Sequence, residues 1–271
     1  MIHFFCALHC EAEPLIHYFK LSESRQFDLF RIFKSKDETI TLTITGIGKL
    51  NAASAVSYHH ACLNSNPYDV WLNIGIAGHK ELDIGEIRLI NKITDEHDQV
   101  NWYPQLIFET PCPCISLITL DKPSTDYESS LFDMEASGFY QMASRLGTSE
   151  LIHCIKIVSD NLQQPTHTVN ASNVKKLITA QTEIIVAIMD LLKPIADELK
   201  SVLIPTRLYS SFTEQWHFTK SQQLQLQKLL RQWSLRFSEK CSLQFLNQEK
   251  TGKAILKALQ DELNKIPFNI Y

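Results

Sequence analysis

An α/β layered fold followed by a helical extension is predicted by three observations on this sequence of 271 residues. Over roughly the first 195 residues, short runs rich in Val, Ile and Leu alternate with stretches of helical periodicity. Several of those runs are apolar throughout, as strands covered on both faces tend to be. Beyond Pro194 only helical patterns remain.

The strand candidates, in order, are "IHFFCAL", "TITLTITGI", "VWLNIGIAG", "EIRLINKI", "CISLITL" and "LIHCIKIVS", mostly bounded by Gly, Asp, Asn or Pro. Helix candidates lie between them at Glu13 to Leu21, Leu50 to Leu63, Glu135 to Leu146 and Val174 to Leu192. Such interleaving predicts a largely parallel sheet with its chemistry at the C-terminal strand ends. In the extension, Leu226, Leu229, Leu230, Trp233 and Phe237 repeat at helical spacing. So do Ile255 or Leu256, Leu259, Leu263 and Ile266, which predicts two amphipathic helices.

Charge divides at the same place. Residues 201–271 hold ten Lys or Arg against five Asp or Glu, a net +5, while the whole chain is −4 and the remainder therefore −9. Two domains are expected, 1–198 and 199–271. The apolar stripes of the extension favour packing on protein over a nucleic-acid role for its basic residues and for Trp216, Phe218 and Trp233.

With 44% hydrophobic and 21% charged residues the composition is that of a soluble globular protein, and no apolar run reaches the length of a membrane helix. The N-terminal "MIHFFCAL" lacks a cationic region and reads as a strand, so a cytoplasmic protein is expected. Seven scattered cysteines do not suit a disulfide framework. Neither the Cys112 and Cys114 pair nor the His59, His60 and Cys62 group has a second half at zinc-ligand spacing, and no metal site is expected.

Four strand ends collect unusual residues. "ALHCEAEPL" places Glu11 and Glu13 at a helix start, and "WLNIGIAGH" ends in two glycines. "FDMEASGF" puts Asp133 and Glu135 at the positive end of a helix, and "IHCIKIVSDN" delivers Ser159 and Asp160 after a buried strand. Singly, each has a structural explanation as a cap, a turn or a bend. Jointly, three carboxylates at strand ends can supply a base, a hydroxyl ligand and an acid within one cleft. The stretch "TGIGK" enters a helix through a Gly-x-Gly turn, a geometry that can cradle an anion. Only one residue separates the glycines, and Lys49 precedes Leu50 instead of Ser or Thr, so it is not a P-loop.

Six segments, "ALHCEAEPL", "TGIGKLNAASAV", "NIGIAGHKELDIGEI", "DEHD", "DMEASGFYQMA" and "IKIVSDN", occur in an order that resembles the purine nucleoside phosphorylase and nucleosidase superfamily. The likeness is to methylthioadenosine/S-adenosylhomocysteine nucleosidases in particular. It implies a three-layer fold around a central mixed sheet, cleavage of an N-glycosidic bond in a purine or 5′-modified nucleoside, no cofactor, and a homodimer. Asp160 would then protonate N7 of the leaving purine from a raised pKa, with Ser159 beside it in the substrate site. Glu135 would hold the ribose hydroxyls with Met134 packed on the sugar, and Glu11 would activate water. Ile47 would line the pocket for the 5′ substituent.

Departures from the family pattern are informative. Ile76 stands where the nucleosidases usually have Ser, and Lys156 where they have Arg, both near the attacking water. The segment between Asp98 and Met134 is shorter than the family's and has no room for a helix that helps form the purine pocket. A phosphorylase of the superfamily would carry an Arg-containing Pro-Gly-Asp loop after the first strand and Arg at the position of Asn73; neither is present. Hydrolysis is therefore expected, with phosphorolysis, or nucleoside binding without turnover, as alternatives.

Overall fold

A computed structural model describes residues 1–124, 129–165, 169–203, 207–236 and 251–265. The chain divides into two compact units, Met1–Asp197 and Glu198–Tyr271. In the first unit the strands are β1 (Ile2–Cys6), β2 (Ser22–Glu23), β3 (Ile32–Lys34), β4 (Ile40–Ile44), β5 (Val70–Gly78), β6 (Ile87–Asp95), β7 (Asn101–Trp102), β8 (Cys114–Thr119), β9 (Leu131–Asp133) and β10 (Ile152–Asp160). The helices are α1 (His9–Tyr18), α2 (Lys49–Leu63), α3 (Ala136–Ala143) and α4 (Ala171–Ala180), and α5 (Thr182–Leu203) begins in the first unit and ends in the second. The second unit adds α6 (Arg207–Gln215), α7 (Lys220–Arg236) and α8 (Gly252–Asn264).

The sheet is mixed, as the resemblance implied, with its longer ladders mostly parallel. β1 pairs in parallel with β4 and β5, and β5 with β10. β6, however, lies antiparallel to β10 and parallel to β8. Pairings of β8 with β9 and of β9 with β5 at Gly78 close β5, β10, β6, β8 and β9 into a circuit, while β1, β4, β3 and β2 extend from it. Hydrophobicity marks a strand as buried but carries no direction, so only the pairing reveals the reversal.

Helices cover both faces. Successive residues of a strand point to opposite sides, and in β1 Phe4 stacks on Phe19 just beyond α1 while Phe5 packs on His59 of α2 and Phe139 of α3. The core between the strands and α2 and α3 is built on Phe5, Val56, Trp71, Phe139 and Ile152.

Three of the helix candidates differ from expectation in their bounds. α1 begins at His9, earlier than Glu13, because Glu11 caps it, and Pro14 lies inside the helix. The single helix expected from Val174 to Leu192 is two, broken at Gln181, whose side-chain amide turns away to donate to the Gly85 carbonyl at 2.7 Å. The second of these runs on through Pro194 to Leu203. α3 stops at Ala143, where both the Leu146 and Gly147 N–H groups fold back onto the Ala143 carbonyl.

In the second unit Leu226, Leu229, Leu230 and Trp233 of α7 meet Ile255, Leu256, Leu259 and Leu263 of α8 in one apolar cluster. Phe212 of α6 and Phe218 join it, so a third helix completes a core for which the sequence predicted two. Phe237 and Ile266 lie outside the described residues. Among the described residues no helix is long and apolar enough to cross a membrane.

Candidate functional site

The C-terminal ends of β1, β5, β9 and β10 and the starts of α1, α2 and α3 surround a cavity of about 220 Å³. Seven of the eight residues singled out from the sequence line it: Glu11, Ile47, Ile76, Met134, Glu135, Ser159 and Asp160. The eighth, Lys156, is buried behind the lining. Leu8, Leu120 and Phe132 supply further apolar wall.

Glu11 is fixed by the backbone. One carboxylate oxygen accepts the Leu8 N–H at 2.8 Å, as a Glu three residues into a helix does, and the other accepts the Ile76 N–H of β5 at 3.0 Å. Space for it comes from Gly75, where a Cβ would lie 2.8 Å from the Glu11 carboxylate and 3.5 Å from the Lys156 ammonium. Burial raises the Glu11 pKa, and the two N–H donors and Lys156 only partly offset that.

Lys156 reaches Asp133 at 2.8 Å with both side chains almost wholly buried. Burial disfavours its charge, but Asp133 and Glu135 outweigh that and hold the ammonium above the usual lysine range. Asp133 also accepts the Thr119 hydroxyl at 2.8 Å and the Ala136 N–H of α3 at 2.9 Å. The sequence pointed to Asp133 only as a helix-start residue; the signal it offered was its place two residues before Glu135.

Glu135 accepts the Gly48 N–H at 2.9 Å. The Gly-x-Gly turn does bind an anion, then, but a side chain of the same protein. Gly46 and Gly48 adopt φ of 79° and 103°, which side chains resist, so glycine is what lets the turn present that N–H. Glu135 is raised to about 7, first by burial and next by Asp133, against the lowering by Lys156 and Gly48.

Asp160 ends β10 through a bulge. Val158 pairs with Ala77 and Asp160 with Gly78, leaving Ser159 as the extra residue. Bulges re-aim side chains beside sites, and here Ser159 and Asp160 both face the cavity, with the Ser159 hydroxyl donating to the Asp160 carboxylate. The Asp160 carbonyl accepts the His79 N–H at 3.0 Å, which ties the loop after β5 to the same end.

No group of His, Cys, Asp or Glu among the described residues is arranged to hold a metal ion. The six described cysteines are free thiols.

No family model matches the chain, and no curated protein sequence matches it. Solved structures do. A 5′-methylthioadenosine nucleosidase from Arabidopsis thaliana superposes with a TM-score of 0.58 at 18% identity, over 70% of this chain and 95% of its own. A methylthioadenosine/S-adenosylhomocysteine nucleosidase from Colwellia psychrerythraea, solved with adenine, gives 0.53 at 14% over 68% and 94%. The futalosine hydrolase of Helicobacter pylori gives 0.55 at 10% over 70% and 97%. The share of this chain that they cover is close to the length of its first compact unit. Over about 70% of its length the chain therefore shares the fold of these methylthioadenosine nucleosidases and of futalosine hydrolase.

Proposed function

We propose that the protein is a nucleosidase that uses water to cleave the N-glycosidic bond of a purine nucleoside or a 5′-modified derivative. The observation that carries this reading is the meeting of Glu11, Glu135 and Asp160 in one cavity whose remaining wall is largely apolar. Its neighbours in fold include enzymes named for such hydrolysis.

In this reading the bond from C1′ to N9 breaks as positive charge grows on the sugar, and carboxylates around the cavity stabilise that charge. Asp160 gives its proton to N7, so the base leaves neutral. Glu11, made more basic by burial, takes a proton from the water that bonds to C1′. Glu135 accepts the ribose hydroxyls, for which it must be ionised. Ile47, Met134 and the neighbouring apolar wall receive the sugar and its 5′ substituent. Ile76 adds to that wall and supplies its N–H, not a side-chain hydroxyl, to the Glu11 carboxylate.

Water is favoured over phosphate on electrostatic grounds. Among the described residues no Lys or Arg lines the cavity, and the cation behind it, Lys156, is engaged by Asp133. A phosphate dianion entering would face Glu11, Asp133 and Glu135 at close range.

The test is base release from a panel of purine and 5′-modified nucleosides, with and without phosphate. Release without phosphate is expected, falling by at least about 100-fold in Asp160→Asn, the scale of a lost general acid. Because Glu11 and Glu135 are both raised and both act ionised, the acid limb of the activity profile should lie near the Glu135 value of about 7. Strict dependence on phosphate would make it a phosphorylase, and nucleoside binding without release would make it a binding protein.

A further inference from the structure

Behind the cavity, and reaching its lining at Asp133, runs a chain of polar contacts between elements far apart in sequence. Lys49, the first residue of α2, places its ammonium 2.9 and 3.0 Å from the two oxygens of Asp95 at the end of β6. The same ammonium lies 2.7 Å from Asp121 in the loop after β8. Asp95 is buried and also accepts the Ser137 hydroxyl of α3 at 2.7 Å and the His97 N–H at 3.0 Å. The Ser137 N–H donates to Thr119, whose hydroxyl donates to Asp133.

Lys49 thus ties together the segments that carry three parts of the cavity: the 46–48 turn, the 120–124 loop and the start of α3. Its own backbone follows directly on Gly48, whose N–H is bonded to Glu135. The Lys49 carbonyl also rests on Gly138, where a Cβ would come within 2.0 Å of it.

We propose that Lys49 is a positioning residue for Glu135. Its ion pair with Asp95 holds α2 against α3 and keeps the Gly48 N–H aimed at the Glu135 carboxylate. The pair is the kind that fixes geometry: Asp95 is nearly enclosed, and the flexible lysine stem is held at both Asp95 oxygens and at Asp121. Lys49 touches no substrate and acts through the turn. Its catalytic consequence rests on the nucleosidase reading; its effect on Glu135 does not.

The experiment compares the wild type with Lys49→Met, Lys49→Arg and the charge-neutral double variant Lys49→Met with Asp95→Asn. The double variant guards against unfolding driven by an unpaired buried Asp95. The first readout is the Gly48 amide resonance of the full-length protein followed across pH. In the wild type it should titrate with Glu135, near pH 7. The groups facing Glu135 are Glu11 on α1, Asp133 on β9 and Lys156 on β10, all unchanged in these variants. Loss of the N–H contact therefore moves the midpoint upward and shrinks its amplitude in Lys49→Met and in the double variant, while Lys49→Arg restores both.

The second readout is base release, with kcat/KM expected to fall about 10- to 100-fold in Lys49→Met and to stay within about 3-fold in Lys49→Arg, the scale for groups that orient others. A folded Lys49→Met or double variant with an unchanged Gly48 titration overturns the proposal. A wild type that releases no base refutes the nucleosidase reading and leaves the resonance to decide the role of Lys49.

Discussion

Glu135 is a carboxylate whose charge is expensive where it sits, with burial and Asp133 both opposing ionisation. Its pKa of about 7 in the folded chain, against 4.5 for an ordinary glutamate, means that between those values the native state holds a proton the unfolded chain has lost. Stability therefore falls as pH rises from about 4.5 to about 7, by up to about 3 kcal/mol for a shift of this size. Glu135→Gln removes that slope, so the variant should gain on the wild type as pH is raised from 5 to 8 in urea unfolding. Parallel profiles for the two proteins would sink this account. Glu11 contributes a slope of the same sign to both proteins, so the comparison reads the part that Glu135 adds. At this scale the carboxylates of the cavity were legible because three of them fall together at strand ends of one α/β frame, inside segments that follow the order of the family they resemble. The pairing of Lys156 with Asp133 was not, because β10 and β9 are not neighbours in the sheet and no spacing rule connects them. Nor was the partner of Gly48, since a Gly-x-Gly turn before a helix advertises an anion site without saying which anion fills it.

Elements were legible where burial wrote them. β10 is buried along its whole length and β5 everywhere but at Ile76, and both read as predominantly apolar runs. The short β2, β7 and β9 carry no such pattern, and their places follow from the partners they meet. The contact of α2 with α3 shows what a single position can require of two elements. Glycine inside a helix costs about 0.5–1 kcal/mol relative to alanine, yet Gly138 occupies the third position of α3. Its reason is the Lys49 carbonyl, which leaves no room for a methyl group. Gly138→Ala must push the start of α2 away, since the obstructing atom is backbone and cannot rotate aside. Overpacking of this kind costs about 1–3 kcal/mol or more. The variant should lose thermal stability, and any folded protein should show a displaced Gly48 amide resonance with weakened base release. A fully stable Gly138→Ala variant with wild-type kinetics would mean that the two helices do not meet this closely.

Over the whole molecule, the change of pattern at Pro194 and the change in sign of charge marked two modules, and the contacts divide the chain at Asp197 and Glu198. The proline itself was a poor marker, because α5 runs through it and only ends at Leu203. Each unit has a core of its own: one around Phe5, Trp71 and Phe139, the other around Phe212, Phe218, Trp233 and Leu259. The first also holds every residue that lines the cavity. A chain cut after Leu203, which keeps α5 whole, should then fold cooperatively and release base at a rate within about 3-fold of the full protein, a change of under about 1 kcal/mol. The complementary piece, residues 204–271, should show helical circular dichroism with a shallow melt, because a single core in a chain this short supplies about 3–5 kcal/mol at most. Aggregation of the 1–203 chain with loss of its catalytic rate would show instead that the extension completes the fold of the first unit. That outcome would make the basic helices part of the first unit's own structure and not a module added to it.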